Sequence, residues 1–193
     1  MKRTISGLYN SYDTALDVVN DLEKAGIPNN DISIIASNGD EVRGEGSGTG
    51  AGTGGGVGAV VGGGAGLLAG LGMLAIPGLG PIVAAGWLAA TAAGAAAGAA
   101  AGGIIGALTD SGVNEDHAHV YAEGVRRGCS LVNVRVDDDN ARAAQLVIDR
   151  HGPADPDRLA TGYRAAGWER FDEDAPIYTP EGGAFISPPR PRI

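Results

Sequence analysis

The segment NEDHAHVYAEG places two histidines among acidic residues, and these side chain types are common transition-metal ligands. His117 and His119 are two positions apart, so on a helix they point to different faces, whereas zinc-binding pairs on helices are spaced by three or four. Glu115 and His119 have the four-residue spacing of a local ion pair. We therefore expect a solvated helix face here, with no metal and no cofactor.

Other reactive residue types also have structural explanations. The three aspartates at 137–139 suit a hard cation, but they also suit the first turn of a helix. Cys129 is the single cysteine, which excludes an internal disulfide. Arg126 and Arg127 are close enough in sequence to lower its pKa, yet we expect a small apolar core residue. No catalytic set stands out, and we expect a protein that is not an enzyme.

The elements around these residues alternate between strands and helices. Residues 4–9, 31–36 and 130–136 have strand patterns, and Ser11 is placed to cap a helix that ends before Gly26. A second helix is expected after Asn114 and a third after the aspartates. A further helix is expected from Pro156 to about residue 166, and an extended piece near Ala154 is a candidate last strand.

The strand SLVNVRV alternates strictly. Val132, Val134 and Val136 share one face, and Asn133 and Arg135 share the other. This pattern predicts a half-buried strand whose polar face meets solvent.

The order of elements predicts an α+β fold, a ferredoxin-like sandwich interrupted after its second strand. Residues 1–37 form its first half and 109–155 its second, and each half alone is too small to bury a good core. Between the halves come a glycine-rich linker at 38–56 and a hydrophobic helical hairpin at 57–108. A C-terminal helix and an extended arm occupy 156–193. In this arm Trp168, Phe171 and Tyr178 need a docking surface on their own domain or on a neighbouring subunit.

The hydrophobic segment has a four-residue glycine register. Residues 46–109 carry no charge, and positions four apart on a helix lie nearly above one another. Such stripes of small residues let two helices approach closely, as in membrane helix pairs. The predicted packing and oligomerisation positions are Gly58, Gly62, Gly66, Gly70, Gly86, Ala90, Gly94, Gly98, Gly102 and Gly106.

A turn divides this segment into two arms. It contains Pro77, Gly78, Gly80 and Pro81, a concentration of residues that ends helices. The expected arms at 52–76 and 82–108 are long enough to cross a hydrocarbon core of roughly 30 Å. Insertion in a membrane and burial in a soluble oligomer both satisfy the apolar side chains, and disorder is the third alternative.

The expected partners follow from charge and from this hairpin. The formal net charge of −9 argues against nucleic-acid binding. Copies of the same chain and membrane lipid are the expected partners. The N-terminus lacks the apolar stretch of a secretory signal, so we expect the cytoplasmic face of the inner membrane, or the cytoplasm if the hairpin is buried in an oligomer.

The first strand–helix–strand block, the IPGLGPIVAAG turn, AEGVRRGCSLVNVRV and GWERFDEDAPIYT together resemble the bacterial general stress proteins with a 17M-like domain. The resemblance covers almost the whole chain and implies a stress context without any established chemistry. We therefore expect a self-assembling structural protein. The alternative is a regulatory module that binds a small molecule.

Overall fold

The computed structural model describes residues 2–37, 72–76, 79–88, 91, 103–172 and 174–175. In these ranges it forms one five-stranded antiparallel sheet with five α-helices, so the predicted mixture of helices and sheet is confirmed. The strands are β1 (Lys2–Tyr9), β2 (Ile32–Ser37), β3 (Gly72–Ile76), β4 (Gly80–Gly86) and β5 (Ser130–Asp137). The helices are α1 (Tyr12–Lys24), α2 (Gly103–Asp110), α3 (Glu115–Arg126), α4 (Asp138–Arg150) and α5 (Pro156–Ala165). The strand order is β1-β5-β2-β4-β3.

Strand β5 joins the two parts of the chain that were expected to pack together. It pairs antiparallel with β1 on one side and with β2 on the other. Strands β1 and β2 are therefore parallel to each other, with β5 between them. Because β5 follows β2 by about a hundred residues of chain, the sheet requires both halves at once.

Helices cover both faces of the sheet. Helices α1 and α4 bury their apolar stripes against one face, where Ile34 and Val134 are completely buried. Helices α2 and α3 cover the other face, which includes Leu8 and Leu131. On α3, a side chain at Gly124 would meet Leu8 Cδ1 at 3.3 Å, so glycine allows this helix to lie close to β1. The fold therefore has three layers, whereas a simple sandwich has two.

The helix starts follow the capping signals of the sequence. The Ser11 side chain accepts a hydrogen bond from the Thr14 amide at 3.2 Å, and Asn114 accepts one from Asp116 at 2.9 Å. Asp155 caps α5, whose first residue is a proline. Near Ala154 the chain makes one main-chain hydrogen bond to Leu8 on β1, of 2.8 Å.

The prediction of helix for the residues around the proline turn is wrong. Gly72–Ile76 and Gly80–Gly86 are strands that pair with each other, and β4 also pairs with β2. The turn at 75–81 exists, but it joins two strands and includes parts of both: Ala75 is paired with Pro81. Pro81 lacks an N–H, and it lies one residue beyond the last β2–β4 pair, Ser37 with Ile82. A short, continuously apolar run has neither helical nor strand periodicity, so its composition did not distinguish a helix from a strand.

Only two of the proposed helix-packing positions are described. Gly86 is the last residue of β4 and has a φ of +86°, so its assignment to a helix stripe is also wrong. Gly106 lies in α2, and a side chain there would meet none of the described atoms within 4 Å. The other positions lie outside the described residues: Gly58, Gly62, Gly66, Gly70, Ala90, Gly94, Gly98 and Gly102, together with Pro77, Gly78, Tyr178 and the linker at 38–56.

None of the helices in the described ranges combines the length and hydropathy that crossing a bilayer requires.

Candidate functional site

A cavity of about 320 Å³ opens between the sheet and α2. We call it the sheet cavity. Its wall includes Lys2 and Thr4 of β1, Arg135 of β5, Trp87 directly after β4, and Ala107 of α2. It therefore lies between two strands, the residue that follows a third, and a covering helix, on the face that the sequence pattern assigned to solvent.

Trp87 and Arg135 form the centre of this wall. The Arg135 guanidinium carbon is 4.3 Å from the centre of the Trp87 ring, a cation–π arrangement. Gly86 places the tryptophan: it is paired with Ser33, and a side chain on it would lie 2.8 Å from Ser33 Cα and collide with the Ile32 carbonyl oxygen. The absence of a side chain lets β4 end tightly against β2 with Trp87 over Arg135.

The charges at the rim are paired unequally. Lys2 Nζ donates to both carboxylate oxygens of Asp31 at 2.8 Å. Arg135 Nη2 approaches that carboxylate only to 3.6 Å and makes one long hydrogen bond, of 3.4 Å, to the Asn30 carbonyl. The Thr4 hydroxyl donates to the Ser111 carbonyl at 2.7 Å and fixes the chain after α2 to β1. Asp31 is therefore committed to the lysine, and the arginine is weakly engaged.

Four buried polar atoms near this cavity have no hydrogen-bond partner among the described residues: Trp87 Nε1, Arg135 Nε, Asn133 Nδ2 and Ser33 Oγ. Asn133 precedes Arg135 by two residues on β5, so both lie on one face, and Ser33 is its direct neighbour on β2. Asn133 and Ser33 are fully buried. On the other side of Asn133, the Ser6 hydroxyl donates a hydrogen bond of 2.6 Å to Asn133 Oδ1. This bond uses the carbonyl oxygen of the Asn133 side chain and not its NH2 group. Three of the four atoms are N–H donors, so a hydrogen-bond acceptor is the group that would satisfy them.

A second cavity, of about 610 Å³, lies between α3 and the chain after α5. We call it the arginine cleft. Glu123, only 1% exposed, accepts hydrogen bonds from Arg126 Nε at 2.8 Å and Arg127 Nε at 2.5 Å. Arg127 also lies 4.3 Å from the centre of the Tyr163 ring. The two guanidinium groups are thus held by a carboxylate of their own helix, and they are less available to a ligand than Arg135.

The histidines of the opening motif have separate partners. His117 Nε2 lies 3.2 Å from Asp157 of α5, and His119 Nε2 accepts a hydrogen bond of 2.7 Å from Arg170 Nε. Glu115 lies 3.9 Å from His119 Nε2, as the four-residue spacing predicts. Burial, together with the Arg170 charge, lowers the pKa of His119, so this contact involves a neutral imidazole.

Cys129 and the C-terminal aromatic residues are placed in the core. Cys129 is buried, and this burial raises the pKa of its thiol to about 11, although the Arg127 charge acts in the opposite direction. The core role that we expected is confirmed. Phe171 is buried in the cluster under α2 and α3, and the Trp168 ring meets Tyr163 edge to face at 5.6 Å. Both dock on their own chain.

The sequence did not identify the sheet cavity. Asn133 and Arg135 were assigned to a solvated face because polar residues alternated with valines. That face is covered by α2, which lies within the arm predicted to be a helix of a hydrophobic hairpin and not a helix packed on this sheet. The sequence contained one sign of a buried polar site: Ser33 places a hydroxyl group inside the otherwise apolar strand segment ISIIA.

Comparisons of the chain with protein-family models, with curated proteins and with solved structures find no significant match. The resemblance to the general stress proteins stays a prediction.

Proposed function

We propose that this chain is a non-enzymatic protein that associates with itself through its uncharged segment, 46–109, in a stress context. The observation that carries the proposal is the position of β3 at the end of the strand order. Among the described residues β3 pairs only with β4. An edge strand presents unpaired N–H and C=O groups, and proteins that remain monomeric usually protect such edges with charge. Strand β3 belongs to a segment with no charged residue.

The rest of the described surface also supports the uncharged segment as the site of self-association. Leu146 on α4 is the only large hydrophobic side chain that is exposed in the described part of the chain, at 58%. A single exposed leucine does not form a patch that would drive association. This supports the uncharged segment as the source of the apolar contacts, and we propose that its glycine stripes pack there against other copies or in lipid.

The test introduces one charge at the edge. Leu74→Lys on β3 should convert the assembly to smaller particles, because a lysine at a sheet edge opposes pairing with a second strand. Leu146→Lys is the matched control and should leave particle mass unchanged. Mass is measured by light scattering after size exclusion, with and without detergent, which also separates a lipid-dependent from a soluble assembly. A wild-type monomer under both conditions contradicts the proposal.

We also propose that β1, α1, β2, α3, β5 and α4 form a ferredoxin-like unit into which β3, β4 and α2 are inserted. Two parallel strands joined by a helix, with an antiparallel strand between them, support this relationship.

The second candidate function is a regulatory small-molecule-binding module. The specific observation in its favour is the group of unpartnered buried donors at the sheet cavity. Thermal-shift screening of the full chain against a set of small metabolites tests it, and the expected result is stabilisation by a restricted chemical class.

A further inference from the structure

The sheet cavity contains N–H donors without acceptors. Trp87 and Arg135 both line it, and each has one buried N–H with no partner among the described residues. A buried donor that lacks a partner destabilises the fold, so folded proteins satisfy nearly all such donors with protein, water or ligand. Two such donors on stacked side chains that share one cavity therefore indicate that an acceptor belongs between them.

The polar atoms next to the cavity strengthen this conclusion. Asn133 and Ser33 are fully buried, lie on the same face as Arg135, and have unpartnered polar atoms of their own. Neighbouring side chains on adjacent strands have Cβ atoms about 4.5–5.5 Å apart. Ser33 and Asn133 are thus direct neighbours across two strands, and Asn133 is two residues from Arg135 on the same face.

The charge pattern selects the class of acceptor. Arg135 is the weakly engaged cation, since Lys2 takes both oxygens of Asp31. The Nε–H of Arg135 has no partner among the described residues and its Nη2 contacts are long, and a guanidinium is the usual recognition group for a carboxylate or a phosphate. Asp110 is exposed in the wall of the same cavity, and its negative charge disfavours a multiply charged anion. A ligand with a single negative charge is compatible with both Arg135 and Asp110.

The shape of the cavity sets the size of the ligand. Its volume of about 320 Å³ is at the lower end of ligand pockets. The Trp87 ring and Ala107 supply apolar wall, which suits a short hydrocarbon portion. We propose that the sheet cavity binds a small monocarboxylate, with its carboxylate accepting hydrogen bonds from Trp87 Nε1 and Arg135 Nε. This inference rests on the second candidate function, the small-molecule-binding module.

The test follows the two donors directly by NMR. The chain has two tryptophans, so Trp168→Phe identifies the indole N–H signal of Trp87. The full chain is titrated with sodium propionate, with its neutral isostere propionamide, with inorganic phosphate and with sodium chloride, at constant ionic strength. Propionate should shift the Trp87 indole and Arg135 Nε–H signals with saturation. Propionamide and chloride should not, and phosphate should bind at least tenfold more weakly.

Two variants of the site and one control complete the test. Arg135→Lys keeps the charge but removes the Nε–H, and it should weaken propionate binding at least tenfold. Arg142→Lys on the opposite side of the sheet is the matched control and should bind as wild type. Trp87→Phe keeps an aromatic ring over Arg135 but removes the indole N–H, so it tests the proposal through the Arg135 signal even if Arg135→Lys does not fold.

The outcomes distinguish failure of the monocarboxylate proposal from failure of the second candidate function, the small-molecule-binding module. Equal binding of propionate and propionamide overturns the monocarboxylate but retains a small-molecule site. Equal shifts with chloride, or tighter binding of phosphate, also overturn it. If none of the four solutes shifts the two donor signals, this inference fails, and the second candidate function fails as well if the thermal-shift screen also finds no stabilising metabolite.

Discussion

Arg170 Nε donates a 2.7 Å hydrogen bond to Nε2 of His119, which ties the segment after α5 to the middle of α3. The bond requires a neutral imidazole with its proton on Nδ1. That histidine is 8% exposed and also faces the carboxylates of Glu115 and Asp116. The contact is therefore sensitive to protonation of one residue.

Stability should fall as the pH decreases through this histidine's titration. Burial and Arg170 lower the pKa of His119 below its ordinary value of 6.5, so the unfolded chain binds the proton more readily. The stabilising contribution is complete above pH 6.5 and is lost as the pH falls through the pKa of the folded state. Urea unfolding at pH 7.5 and 5.5 measures the difference, and His119→Gln should reduce it. An equal loss in the variant would assign the effect to other groups.

Glu123→Gln should destabilise the chain by about 3 kcal/mol, because it removes the buried carboxylate charge that two neighbouring guanidinium groups share. The Glu123 carboxylate is 1% exposed and is held by Arg126 and Arg127. Glu169→Gln, at an exposed position in the same cleft, is the control and should change the free energy of unfolding by less than about 0.5 kcal/mol. Similar values for both would mean that the buried cluster contributes no more than a surface carboxylate.

Gly124→Ala and Gly106→Ala should have opposite effects although both glycines are helical. At Gly124 an added methyl group is 3.3 Å from Leu8 Cδ1 and closer still to Cδ2, so the helix must shift, at a cost of about 1–3 kcal/mol. At Gly106 no described atom lies within 4 Å, and alanine should stabilise α2 by up to about 1 kcal/mol. Denaturant unfolding gives both values. Destabilisation at Gly106 with a smaller assembly would instead support its place in a glycine stripe.

Gly86→Ala should cost clearly more than Gly26→Ala. Both glycines have a φ of +86°, so the strain of a left-handed backbone, about 1 kcal/mol, is common to both. A side chain at Gly26 meets nothing within 4 Å, whereas one at Gly86 lies against Ile32 and Ser33. The excess therefore measures the close approach of β4 to β2. A red shift of Trp87 fluorescence, recorded in a Trp168→Phe background, should accompany it only at Gly86.

Cys129 should react slowly in the folded chain. Its pKa of about 11 leaves little thiolate at pH 8, and the side chain is 7% exposed. The rate with a disulfide reagent should rise by several orders of magnitude in denaturing urea. Fast reaction in buffer at the same pH would show that the Cys129 thiol is exposed in solution.

Several elements of this fold depend only on nearby residues, and the sequence predicts them. Helix α1 begins at a serine cap and ends before Gly26, and β5 shows strict alternation. Capping and periodicity act within a few residues, so one chain is enough to recognise them.

The tertiary structure decided the environment of β5 and the secondary structure of β3 and β4. An apolar run flanked by glycine and proline is compatible with a pair of helices and with a pair of strands. Here β4 pairs with β2, and the run is therefore part of the sheet. The alternation in β5 determined that Arg135 and Val134 face opposite sides. It contained no information that α2 would cover the arginine, because burial is decided by elements distant in sequence that pack on the same face.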